Sequence, residues 1–155
     1  MNKFKIVIAS TFGVGYLPLA PGTWASAIVL PIIWFISSVY SWFALIPFFI
    51  IVSLLSLWST SAAEQKWGKD PSKMVIDEWA GQILTFFLVP LSLDLNEHWL
   101  VLLIGFILFR FFDILKPFGI GKLQKIEGGL GVLLDDLLAG LYALVILNIL
   151  ILTTF

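Results

Sequence analysis

Five carboxylates in this 155-residue chain lie at the edges of long apolar stretches, where ionisable groups are costly to keep. Asp77 and Glu78 open one stretch, Asp113 closes another, and Asp135 and Asp136 open a third. Acids crowded into one bundle mouth repel one another and are driven to protonate unless a cation neutralises them. An all-oxygen donor set suits a hard ion, and Mg²⁺ binds through a few carboxylates, several waters and the phosphate oxygens of a substrate. The chain has no cysteine and a single histidine, His98, so zinc and copper sites lack their usual ligands. Asp77, Glu78, Asp113 and Asp136 are the expected metal ligands. Asp135 joins them as a candidate catalytic carboxylate with a weaker claim, because its neighbour on a helix points about 100° away.

Cations and glycines of a matching kind stand close by in the sequence. Arg110, Asp113 and Lys116 are spaced i, i+3, i+6, so one rough helix face carries an acid between two phosphate-binding cations. Arg110 could equally serve as the neutralising partner of Asp113. Gly22 and Thr23 end one glycine- and proline-bearing loop, and Gly129 and Gly131 belong to another. Both loops lead into helix N-termini, where free N–H groups and the dipole favour an anion. Neither is a P-loop, since no Gly-Lys-Ser/Thr follows a strand. Small residues follow the acids by three or four positions, Ala80-Gly81 after Asp77-Glu78 and Ala139-Gly140 after Asp135-Asp136. They would let neighbouring helices approach until acids from both reach one ion.

The elements that must hold these groups are set by composition. Hydrophobic residues make up 60% of the chain and charged residues 12%, with a mean hydropathy of +1.04, far from a water-soluble domain. A chain this short could not hide so much apolar surface from water, so the solvent is lipid. Five apolar stretches are expected as helices: about Trp24 to Val39, Trp42 to Thr60, Val75 to Leu93, Trp99 to Leu115 and Val132 to Leu152. They predict an all-α, polytopic membrane bundle of four to five transmembrane helices in a single domain, 1–155. Pro47 and Pro90 interrupt the second and third stretches, so one could be re-entrant. Trp24, Trp42, Trp58, Trp79 and Trp99 fall near stretch ends, as in an aromatic belt.

With the N-terminus cytoplasmic, all nine Lys and Arg fall on the inner side, including Lys66, Lys69, Lys73, Lys122 and Lys125 as plain membrane-boundary anchors. Only Asp94 and Glu97 among the acids then face outward, with His98. The Met1 to Phe12 segment, apolar with two lysines, reads as a cytoplasmic segment rather than a signal peptide, for want of a cleavage site. A net charge of −1 gives no reason to expect a nucleic-acid partner.

Four blocks together resemble the phosphatidylglycerophosphatase A family of bacterial membrane lipid phosphatases. They are Gly13 to Ser26 with Ala20-Pro21-Gly22-Thr23; Val75-Ile76-Asp77-Glu78 with Gly81; Phe109-Arg110 with Asp113 and Lys116-Pro117; and Gly128 to Val132 with Asp135-Asp136 and Ala139-Gly140. The family pattern has glycine where this chain has Ala25, and proline where it has Gly119. The resemblance, running from about Phe12 to Gly140, implies Mg²⁺-dependent removal of the terminal phosphate of phosphatidylglycerophosphate at the cytoplasmic face of the bacterial inner membrane. Arg110, Lys116 and the loop residues Gly22, Thr23, Gly129 and Gly131 would bind the phosphate. One uncoordinated carboxylate would serve as base, unless an aspartate acts instead as nucleophile. The alternative is a small ion- or proton-coupled transporter with the acids as its ion site.

Overall fold

In the computed structural model, residues 3–69, 71–92, 94–123, 126 and 128–154 are described; Lys125, and Leu93 at the end of the third apolar stretch, lie outside them. The described residues are helical without strands: α1 (Lys3–Ala9), α2 (Pro21–Tyr40), α3 (Leu45–Trp67), α4 (Ile76–Thr85), α5 (Leu95–Leu115), α6 (Ile120–Leu123) and α7 (Gly129–Thr154). Four stretches are long and apolar enough to cross a membrane, Pro21–Tyr40, Trp42–Trp67, His98–Leu115 and Gly129–Thr153. Only 28–33% of each is buried within the protein. The remaining surface, with Phe35, Ile50, Leu54, Ile107 and Leu152 exposed, is a face for lipid rather than water.

Local chemistry sets the helix ends. Pro21 opens α2 at a position where its missing N–H is no loss. Pro47 falls in the first turn of α3 and so does not interrupt it, contrary to the sequence expectation. Gly68, at φ +95°, ends α3, and the Asp94 carboxylate caps α5 by accepting from the Asn96 N–H at 2.9 Å.

The third apolar stretch is not a continuous span. Its helix, α4, has ten residues and stops at Thr85. A helix carried on to Pro90 would bring the proline ring against the Phe86 carbonyl and leave that carbonyl without a donor, so the helix ends before it. The chain still crosses. The start of α4 lies beside the start of α2, where a Cβ on Gly22 would run into Glu78, while Ser92 lies beside the far half of α2. The unwound segment 86–92 keeps Phe86, Val89 and Leu91 inside the protein, and side chains of the long helices serve its carbonyls. Asn148 Nδ2 donates to the Phe87 carbonyl at 3.2 Å, and Trp34 Nε1 and Ser38 Oγ donate to the Ser92 carbonyl at 2.9 and 2.7 Å. Non-helical backbone survives at membrane depth only when enclosed and bonded in this way. Enclosure also removes Trp79 from the expected aromatic belt: it packs edge-on against Phe48 with its indole nitrogen buried.

Helix α4 packs chiefly on α7, glycine against glycine. A Cβ at Gly140 would collide with the Gly81 carbonyl. One at Gly81 would lie 2.5 Å from the Phe109 ring and 2.6 Å from the Asp136 carbonyl. This is the small-residue approach expected from the sequence, one turn beyond the acids on each helix. Gly140→Val is expected to lower stability by about 2–3 kcal/mol, the scale for overpacking a tight contact. Gly121→Ala, whose new Cβ meets nothing nearer than 3.9 Å, should cost little. Thermal melts in detergent would compare the two.

Candidate active site

The glycine contact sets the site one helical turn away. Asp77 and Glu78 precede Gly81 by four and three residues, and Asp136 precedes Gly140 by four, so tight α4–α7 packing brings the three carboxylates together. One oxygen from each lies within 4.8 Å of the others. Asp113 from α5 and Asp135 from α7 face the same cavity of about 230 Å³, which Lys116, Met74 and Val132 also line. Asp77, Asp113, Asp135 and Asp136 are all buried. The adjacent pair Asp135 and Asp136 thus faces one space together.

Two cations answer this charge. Arg110 Nη1 lies 2.6 Å from Asp113 Oδ2, and Lys116 Nζ is in direct contact with Asp135 Oδ2. Lys116 sits just past the end of α5 at φ +47°, before Pro117, a turn that swings its chain towards α7. Burial pushes the Lys116 pKa down. The hydrogen bond and charge of Asp135, helped by Asp136 and Asp113, more than offset this, so the ammonium is held above its ordinary value.

Two of the acids nonetheless have oxygens without a partner. Asp77 Oδ1 and Glu78 Oε2 are buried and accept no hydrogen bond. A carboxylate oxygen left this way in a low-dielectric pocket is costly, and a coordinated cation relieves it. The donor set is all oxygen, which fits a hard divalent ion such as Mg²⁺.

The expected phosphate contacts divide. Gly22 belongs to the site: a Cβ there would run into Glu78 Oε1 and lie 3.3 Å from Arg110 Nη1. Thr23 lines a second cavity, with Arg110, on the outer side of the α2–α5 contact. The other two glycines are close-packed positions at the start of α7. Gly129 lies against Thr60 of α3, and Gly131 against the carbonyls of Ile126 and Leu123; neither lines the acidic cavity, though Val132 beside them does. Sequence reasoning gave no role to Ser26, whose hydroxyl donates to the Gly22 carbonyl at 2.9 Å and accepts from Arg110 Nη1 at 3.5 Å. Its i+4 spacing from Gly22 was the available signal. His98 lies at the opposite end of α5.

The fold is that of a polytopic helical membrane protein with its carboxylate cluster at one end of the bundle. The sequence model of the phosphatidylglycerophosphatase A family matches residues 7–151. A Haemophilus influenzae phosphatidylglycerophosphatase A is 34% identical over 144 residues, covering 90% of this chain and 84% of its own, and an Escherichia coli protein of the same name is 28% identical over 137 residues, covering 86% and 76%. A Bacteroides thetaiotaomicron protein with the provisional name phosphatidylinositol-3-phosphatase is 35% identical over 152 residues, covering 93% of this chain and 91% of its own. No solved structure matches. This chain belongs to the phosphatidylglycerophosphatase A family, and its activity is that of a phosphatase.

Because Gly22 leaves room for Glu78, Gly22→Ala is expected to shift that carboxylate and lower phosphatase turnover about 10²-fold, the usual cost of misplacing a catalytic group by an ångström. The folded state should survive, with a melting temperature within a few degrees of the parent; a variant of full activity would place Glu78 outside the chemistry.

Proposed function

We propose that this chain is a Mg²⁺-dependent lipid phosphatase that hydrolyses phosphatidylglycerophosphate to phosphatidylglycerol and phosphate. The observation that carries the reading is the set of buried carboxylates from α4, α5 and α7 around one cavity, with oxygens of Asp77 and Glu78 lacking any partner. Asp77, Glu78 and Asp136 would hold the ion, with Asp113 completing the set. When bound, Mg²⁺ draws charge from the phosphoryl oxygens and makes a water more acidic.

The rest of the work falls to the protein's own side chains. Arg110 and Lys116, already aimed at Asp113 and Asp135, grip the phosphate as it enters, and the guanidinium is suited to two phosphate oxygens at once. Release of Asp135 from Lys116 leaves an uncoordinated carboxylate beside the phosphate to take the proton of the attacking water. Phosphoryl transfer needs positioning and charge stabilisation more than covalent chemistry, and a buried pocket with fixed charges provides both. The first turns of α2 and α7, with Gly22 and Thr23 in one and Gly129 and Gly131 in the other, add positive helix ends on the same side.

The basic residues argue for the inner leaflet of a bacterial cytoplasmic membrane. Among the described residues Lys66, Lys69, Lys73, Arg110, Lys116 and Lys122 lie at the helix ends and connections nearest the acids, while Asp94 and His98 lie at the other end of α5. By the positive-inside tendency that end faces the cytoplasm. A transporter would need charged groups through the membrane depth, and α7 carries no Asp, Glu, Lys, Arg or His after Asp136.

Purified protein in detergent should release phosphate from phosphatidylglycerophosphate, stop when EDTA is added and recover with excess Mg²⁺. Asp77→Asn and Asp136→Asn should each lower turnover at least 10²-fold, and full activity in both would refute the site. Phosphatidylinositol 3-phosphate, tested in parallel, should be the poorer substrate. Orientation is read by single cysteines in this cysteine-free chain: Asn96→Cys should react with an impermeant maleimide in intact cells, and Lys122→Cys only after permeabilisation.

A further inference from the structure

Two cavities follow one another along the seam between α2 and α5, on the side open to lipid. The outer one, about 460 Å³, lies between Ala27, Pro31 and Trp34 of α2 and Trp99 and Leu103 of α5. The inner one, about 410 Å³, is bounded by Thr23 of α2 and by Ile107, Arg110 and Ile114 of α5. The steps between them are single helical turns, Thr23 to Ala27 on one wall and Leu103 to Ile107 on the other. The groove is apolar apart from Thr23 and Arg110, which enter its inner cavity, and Ile114 and Leu115 line it a turn further on. Arg110 then joins it to the acidic pocket, since its guanidinium touches Asp113 and Ser26 behind the seam.

From this geometry we infer that the α2–α5 groove seats one acyl chain of the lipid phosphate, so that the substrate reaches the acids sideways from the bilayer past Arg110. The inference rests on the lipid-phosphatase reading and adds the route and the seat. Length supports it: the eleven helical steps from Trp99 to Arg110 span about 16 Å, close to the half-thickness of a hydrocarbon core of about 30 Å. Charge supports it as well, because an apolar groove with an arginine in its inner part matches a molecule with an apolar tail and an anionic head. Pro31 contributes to the seat, since it has no N–H to offer the Ala27 carbonyl and so relaxes α2 along this wall.

The test fills the groove. Ala27→Phe and Leu103→Trp are assayed on dipalmitoyl and on dihexanoyl phosphatidylglycerophosphate, with Ile149→Phe, on the exposed face of α7, as control. The expected result is an approximately tenfold fall in the ratio of kcat/KM for the long-chain over the short-chain substrate in both groove variants, through KM, with no change of ratio in the control. An unchanged ratio in the groove variants, or an equal fall in the control, overturns the inference. A second measurement needs no variant: a long-chain lipid phosphate with a mid-chain diazirine, photolysed with the parent protein, should label peptides of α2 and α5, and labelling confined to α3 and α7 overturns the groove. Failure of the parent protein to release phosphate from either chain length would instead remove the substrate reading, and the cross-link map would still decide whether the groove holds an acyl chain.

Discussion

Carboxylates gathered in a medium that solvates charge poorly are the constraint from which the rest of this structure follows. Asp77, Glu78, Asp113, Asp135 and Asp136 surround a cavity of about 230 Å³ near the end of a lipid-embedded bundle. Like charges so close are not stable by themselves, and the protein answers with counter-charges: Arg110 on Asp113 within α5, and Lys116, just past α5, on Asp135 of α7. The answer is incomplete at Asp77 and Glu78, whose buried Oδ1 and Oε2 have no hydrogen-bond partner, and there the pocket could hold a cation. A binding site differs from a structural ion-pair network in this incompleteness, because a network that satisfied every oxygen would have no affinity left for a cation or a phosphate.

Holding the acids together determines how α4 is built. Its first turn must lie deep enough to meet α7 at Gly81 and Gly140, yet its acids must stay near the membrane boundary. A ten-residue helix followed by an unwound stretch meets both demands. The stretch itself would be untenable in hydrocarbon, since each unbonded carbonyl costs free energy. Asn148, Trp34 and Ser38, polar side chains on otherwise apolar helices, have their explanation here: they are the donors that the Phe87 and Ser92 carbonyls lack. The same helices that span the bilayer thus support the segment that cannot.

Much of this was legible in the residues. Apolar length marked four of the helices. The acids announced themselves because ionisable groups in apolar stretches are rare without a purpose, and glycine one turn after each acid pair pointed to close approach. What stayed hidden depends on partners distant in sequence. Val75 to Leu93 reads as a fifth helix of ordinary length until one knows that Pro90 ends α4 early and that donors 54 to 61 residues away replace the missing ladder. Pro47 looks like the same kind of break and is not, because it falls in the first turn, where no hydrogen bond is lost. Gly129 and Gly131 share a composition with anion-binding turns, yet their nearest neighbours are Thr60 and the Ile126 carbonyl, a packing environment that spacing alone does not distinguish.

Arg110 is where the two halves of the molecule's task meet. A substrate with acyl chains must keep them in lipid while its phosphate ester is exposed to water and to charge, and few positions satisfy both. On α5, Ile107 and Phe111 face the bilayer, Asp113 faces the carboxylates, and Arg110 lies between, its side chain only 13% exposed and joined to Asp113 and Ser26. A lysine at this position would bring a charge without the fork that can hold Asp113 and a phosphate oxygen together. The spacing 110, 113, 116 therefore does more than put three charges on one helix. It grades the surface from lipid, through a cation shared by both environments, to an acid pocket closed by Lys116, and a helix achieves that grading because each step of three turns the side chain by about 300° and advances it about 4.5 Å.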